Sequence, residues 1–201
     1  FHIYTAGFGL LVEITHRAFH LTLVLALIFL VFPHKRPPQD AAGAAKTWGW
    51  SLAFTAFYLY LAWALVDRLG ALGEVRHGWA FIALVGFVAF ISLPFPQFGG
   101  TGDRLSWVDW PLAIVAAAVS LYFVVFFDDV FIARVGAPIA QDYMMGVLAI
   151  VIVMEASRRT MGPLLPVLGM ACLLYALLGR HMPGILAHRG YPVDRVVNHI
   201  Y

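Results

Sequence analysis

Thr47-Trp48-Gly49-Trp50-Ser51-Leu52-Ala53-Phe54-Thr55-Ala56-Phe57-Tyr58-Leu59-Tyr60-Leu61-Ala62-Trp63-Ala64-Leu65-Val66 runs from Lys46 to Asp67 without a formal charge. A bilayer hydrocarbon core of about 30 Å takes about 20 helical residues to cross, because each backbone group must find its partner inside the segment. This stretch has that length, and Trp48, Trp50 and Trp63 lie toward its ends, as an interfacial aromatic belt requires. The whole chain agrees with it. Of 201 residues, 62% are apolar and only 12% are Asp, Glu, Lys or Arg. Soluble domains carry roughly a quarter charged residues, so this chain cannot cover a folded surface with solvated groups. The expected solvent is lipid, and the expected fold is an all-α polytopic transmembrane helix bundle.

Further spans follow by the same reasoning. Gly78 to Gly102 is uncharged, its apolar part running from Trp79 to Leu93 and stopping at Pro94-Phe95-Pro96, where proline forbids continuation. Asp109-Trp110-Pro111 opens the next helix, with Asp109 as the expected cap and Pro111 tolerated in the first turn. Leu112 to Phe127 is its body, and Asp128 and Asp129 mark its exit. Leu164 to Leu178 repeats that plan after Gly162-Pro163, with a kink expected at Pro166. Two segments need extension. Ala18 to Phe32 reaches membrane length only if helix runs back to about Gly9, which puts Glu13, His16, Arg17 and His20 on one face. Tyr143 to Met154 becomes a crossing if it includes Ile139 to Ser157. About six spans result, divided into a four-helix block over residues 1–134 and two connecting helices over residues 135–201.

The ionisable residues give few chemistries. Net charge is +2 with basic residues in every polar break, so nucleic acid is not an expected partner. Six Lys and Arg in the odd-numbered breaks against seven on the other side leave the orientation open. Cys172 is the only cysteine, which excludes an internal disulfide. The first apolar stretch carries Glu13 and Arg17 and does not read as a signal peptide. Val196-Val197-Asn198-His199-Ile200-Tyr201 carries no terminating residue, so continuation past Tyr201 is expected. Walker-type phosphate loops and nucleophile elbows are missing from the sequence, and no enzymatic activity is expected.

Two ion-pair groups stand out. Glu13 and Arg17 have i,i+4 spacing with the acid first. Within hydrocarbon they are functional candidates; at headgroup depth they anchor the helix, with Arg17 snorkelling. Glu155 with Arg158 and Arg159 has i,i+3 and i,i+4 partners. That group reads either as a carboxylate near a transported ion or as a boundary clamp facing lipid phosphates or a neighbouring subunit. Of the eight histidines only His16 and His20 share a helix, and the redox alternative, a b-type cytochrome anchor, rests on them. No compact zinc cluster is present. In the tail, Val193, Val196, Val197 and Ile200 have helical spacing, with Arg195 and Asn198 opposite. This suits either an interfacial helix or a linker to following spans.

Phe1-His2-Ile3-Tyr4-Thr5-Ala6-Gly7-Phe8-Gly9 followed by His16-Arg17-Ala18 resembles the opening of fused permeases of tripartite ATP-independent periplasmic (TRAP) transporters of the TAXI type. Glu155-Ala156-Ser157-Arg158-Arg159-Thr160-Met161-Gly162, Leu186-Ala187-His188-Arg189-Gly190-Tyr191 and Val196 to Tyr201 are similar to the stretch that leads into that family's large transport domain. The resemblance implies a multi-pass protein of the bacterial inner membrane that imports small organic anions. It implies a periplasmic substrate-binding protein as partner and Na+ or H+ as coupling ion, with no cofactor. In such systems the small membrane part is a static scaffold, and the substrate and ion sites lie in the transport domain. This chain departs from the family by lacking nearly all of that domain, so no substrate-binding residue carries over. An assembly subunit of another membrane complex is the remaining structural alternative.

Overall fold

A computed structural model describes residues 13–34, 38–71, 78–95, 106–126 and 138–200, with only the backbone described at 13–18, 71, 123 and 198–200. Every regular element among them is helical: α1 (Glu13–Val31), α2 (Ala41–Ala71), α3 (Gly78–Ile91), α4 (Asp109–Val125), α5 (Ala140–Met161), α6 (Leu164–Leu178) and α7 (Val193–Ile200). Two 3-10 turns, Gly179–His181 and Gly184–Leu186, separate α6 from α7.

Among the described residues three helical stretches are long and apolar enough to cross a membrane: Ala41–Gly70, Ala140–Met161 and Leu164–His181. Phe19–Val31, Gly78–Ile91 and Asp109–Tyr122 are shorter apolar helices. The fourteen residues of α3 cover about 21 Å at 1.5 Å per residue. Backbone helix does extend back from Ala18 to Glu13. The expected exit at Asp128 and Asp129 lies outside the described residues.

Packing follows two pairs and a pillar. α1 lies against α4 and α2 against α3, while α5 touches all four and also α6 and α7. Val147, Leu148, Val151 and Ile152 give α5 its buried face, and they meet a core that includes Phe29, Phe54, Tyr58, Leu65, Val85, Val88, Leu112 and Ala116. The outside is apolar as well: Leu27, Trp63, Phe87, Ile114 and Leu168 are all exposed. In water each would contribute cost without return; against lipid tails they need no cover. Hydroxyls inside the helices are closed on their own backbone. Thr47 donates to Gly43 O at 2.8 Å, Ser92 to Val88 O at 2.8 Å, and Ser120 to Ala116 O at 3.0 Å.

α6 stands at the margin, with Pro166 its one buried residue. Pro166 falls in the first turn, where its missing N–H breaks no intrahelical bond. Beyond α6 the chain folds back over the helix end. His188 Nδ1 accepts from Gly190 N–H at 3.0 Å, so its Nε2 carries the proton and donates to Tyr175 O at 2.9 Å. Tyr191 N–H donates to Ala176 O at 2.9 Å. A freed carbonyl at the end of α6 is thereby satisfied by a side chain. α7 then packs Val193 and Val197 into the bundle, which selects the apolar face read from the sequence. Arg68 and Asp194 meet across α2 and α7 at 3.4 Å, an exposed contact of small energetic weight.

A Cβ on Gly179 would fall inside the His188 ring. Gly179→Ala is therefore expected to lower the thermal midpoint in detergent by several degrees. Gly169→Ala on the open face of α6, where a Cβ meets nothing within 4 Å, should hold or raise it. Equal midpoints for the two variants would contradict the fold-back.

Candidate functional site

Helix ends alternate along the chain, so the last turns of α1, α3 and α5 meet the first turns of α2, α4 and α6 at one end of the bundle. Glu155 sits in α5 near that end. Its neighbours three and four residues on, Arg158 and Arg159, are stacked above it on the helix surface. Arg158 grips Glu155 with two parallel bonds, Nε to Oε2 and Nη2 to Oε1, each 2.8 Å. Arg159 Nε donates to Oε1 at 3.1 Å. The carboxylate is 1% exposed, a depth at which an unpaired charge is not tolerable.

The two arginines then part. Arg158 Nη2 also donates to Ser92 O at 2.9 Å and Nη1 to Ser51 Oγ at 3.4 Å, reaching α2 and the end of α3. Arg159 Nη1 donates to Asp109 Oδ1 at 2.6 Å and to Phe32 O at 3.4 Å. Its guanidinium lies 5.0 Å from the centre of the Phe29 ring, within cation–π range. Arg159 thus reaches α1 and α4. Adjacent residues on a helix point about 100° apart, which is why one can serve each helix pair.

Asp109 was expected to cap α4, and its role is different. The cap position is Val108 and makes no side-chain bond. Asp109, fully buried, accepts from Ser106 N–H at 2.8 Å, from His34 N–H at 3.1 Å and from Arg159. It ties the loop after α1 to the start of α4. The opposite end of the bundle has a smaller counterpart: Tyr122 Oη donates to Asp142 Oδ1 at 2.6 Å, and Asp142 Oδ2 accepts from Ile139 N–H at 2.9 Å. That carboxylate joins the end of α4 to the first turn of α5, where the helix dipole favours a negative charge.

The structure therefore gathers Glu155, Arg158 and Arg159 from the sequence reading and adds Asp109, His34, Ser51 and Ser92. The arginines turn inward onto protein acceptors. Side chains of Glu13 and Arg17 lie outside the described residues. Among the described residues no group of three or more His, Cys, Asp or Glu converges as a metal site would require, and Cys172 is exposed and free.

No family model, curated protein or solved structure matches this chain. The arrangement itself indicates what it does. Two guanidiniums and two carboxylates neutralise one another, and their remaining capacity goes mostly to backbone and hydroxyl groups of four other segments. This is a lock among helices, with Glu155 as its centre.

Two outcomes follow. Glu155→Ala leaves the largely buried Arg158 without its carboxylate and Arg159 with Asp109 alone, and we expect a loss of about 3–5 kcal/mol in reversible unfolding from mixed micelles. Adding Arg158→Met to Glu155→Ala should recover part of that loss; strictly additive losses would dissolve the lock. His34 is buried, and burial first and the nearby Arg159 second hold its pKa down from 6.5 to about 4. The unfolded chain then binds the proton first, so stability is complete above pH 6.5 and declines as pH falls toward 4, by up to about 1.4 kcal/mol per unit. His34→Gln should flatten that decline between pH 6.5 and 5, measured as the thermal midpoint; an unchanged slope would assign the acid sensitivity elsewhere.

Proposed function

We propose that this chain is the static membrane frame of a secondary transporter of the TRAP type, serving uptake of small organic anions together with a periplasmic substrate-binding protein and an ion gradient. The observation that carries the reading is the closed charge lock. Its acidic and basic groups bind one another and the helices around them, with no carboxylate left over to take a coupling ion. A conducting path needs ionisable groups that exchange partners; a frame needs them fixed. The resemblance of the opening segment and of the stretch after Glu155 to fused TRAP permeases gives that frame its transport setting.

Six crossings suit the alternation of ends. α1, α3 and α4 are short, yet the Glu155 lock holds the ends of α1 and α3 and the start of α4 beside the end of α5, and Tyr122 with Asp142 holds the end of α4 beside the start of α5. Tilted or locally thinned bilayers accommodate such lengths at modest cost. The positive-inside rule supports one orientation of this frame. Arg158 and Arg159 point into the bundle, so they do not count as loop charges. Along the sequence, Lys35, Arg36, Lys46 and Arg104 remain in the first and third polar breaks, against Arg17, Arg68, Arg76, Arg134, Arg180, Arg189 and Arg195 in the segments assigned to the other side. The richer side faces the cytoplasm, which turns the Glu155 lock toward the periplasm, where a binding protein arrives.

In a Cys172→Ala background, Lys35→Cys is expected to react with a membrane-impermeant maleimide in intact cells, and Arg189→Cys only after permeabilisation. The reverse pattern would invert the frame. Proteoliposomes holding the chain with its transport domain should accumulate a small organic anion only when the binding protein and a gradient are both supplied. Uptake without either would defeat the tripartite assignment, and a Soret band in the purified protein would favour the cytochrome alternative instead.

A further inference from the structure

Beside the lock lies a cavity of about 370 Å3 between the α1–α2 loop, the start of α2, the segment after α3 and the end of α5. Among the described residues its wall includes Arg158, Arg159, His34, Thr47 and Thr160, and no Asp or Glu. Glu155 and Asp109 sit behind the guanidiniums, buried in the bundle, so the cavity meets the cationic side of a neutral cluster. Two residues of this wall each carry a buried polar atom with no hydrogen-bond partner among the described residues: Nη2 of Arg159 and Nε2 of His34. The Arg159 side chain is 5% exposed and His34 is 5% exposed, so neither is a surface group turned to bulk solvent. Nη2 carries two N–H donors. Leaving a charged donor buried and unaccepted is among the costlier states a side chain can hold, and the rest of Arg159 is fixed by Glu155, Asp109 and the Phe29 ring, so it cannot swing away.

We propose that this cavity is an oxyanion site for a phosphate group, held by the free edge of Arg159 with His34 beside it and Arg158 in the same wall. Guanidinium edges suit phosphate oxygens in spacing and charge. Volume does not select against a substituted phosphate, since the cavity has room for about a dozen waters' share of liquid volume. It lies at the end of the bundle, where both a dissolved phosphate and the headgroup of a phospholipid can reach it. The inference stands on the cavity alone and holds whether or not the frame serves a transporter.

The test uses the whole chain, purified in a neutral detergent. Inorganic phosphate is titrated against chloride at matched ionic strength while the thermal midpoint is followed, and native mass spectrometry records bound phospholipid after exchange into vesicles of phosphatidylcholine with or without phosphatidylglycerol. Arg159→Lys keeps a charge for Glu155 and Asp109 but removes the free edge. Thr47→Leu fills the cavity and leaves every ion pair in place, which separates loss of the site from loss of fold. A saturable rise in midpoint with phosphate, weakened roughly tenfold or more in apparent affinity by both variants, establishes the site for a free anion. Phosphatidylglycerol retained by the parent chain and lost from both variants, with no response to inorganic phosphate, establishes it for a headgroup. No response to either probe, or a response that Thr47→Leu leaves unchanged, overturns the proposal.

Discussion

One carboxylate in the interior sets the terms for the bundle. Glu155 is buried where lipid-facing helices leave no water to solvate it, so it must be matched within reach of its own side chain. A single arginine would neutralise it. Two over-neutralise it, and the excess positive charge then has to be answered from elsewhere in the chain. Asp109 supplies that answer from α4, and the hydrogens left on Arg158 fall to Ser51 and to the Ser92 carbonyl. The chain of obligations runs from α5 to both helix pairs. Without a hydrophobic driving force between helices in lipid, obligations of this kind, together with close packing, choose which helix sits beside which.

This explains why α5, rather than the more apolar α6, is the pillar. α6 has no formal charge in its body and nothing that compels it to turn inward. Its apolar side chains are equally at ease against tails or against helices, so it stays at the edge, held by the fold-back of His188 and Tyr191. α5 carries Glu155, Arg158 and Arg159 in its last two turns, and burial of those turns drags the aliphatic face from Val147 to Ile152 into the centre.

Helix positions were legible because their signal is local: an uncharged run, its length and the proline or tryptophan at its edge. The breaks after Val31 and Ile91, the Pro163 start and the short α7 all carry such marks. The pairing of Glu155 with Arg158 and Arg159 was legible for the same reason, being a matter of helical spacing. Their direction was not. A boundary clamp facing phosphates and an inward lock have identical sequences over Glu155 to Arg159, and the difference is made by partners 50 residues away at Asp109 and 66 away at Ser92. Asp109 had a local explanation as a helix cap, and a sufficient local explanation conceals a distant role. His34 carries no local mark in the sequence, because nothing nearby announces that its backbone N–H is bound by Asp109.

A signal for Asp109 nonetheless existed. An acid at the mouth of an apolar helix is costly unless something answers it, and within this chain the two adjacent arginines on α5 offer one more positive charge than Glu155 can use. Counting charge within the lipid-embedded part, rather than along it, pairs the surplus with the deficit. The same count shows why the lock faces its cavity with a positive edge. Carboxylates have acceptors only and are satisfied from behind by backbone N–H groups and guanidinium forks. A guanidinium has five donors spread around a plane, and Arg159 uses only one side of that plane on Glu155, Asp109 and Phe32. The unused side is a geometric consequence of balancing two planar cations against two compact anions in a space that admits no further acid. The bonds that fix Arg159 to Glu155, Asp109 and Phe32 are the same bonds that join the helices, so the unused edge is held as firmly as the lock itself.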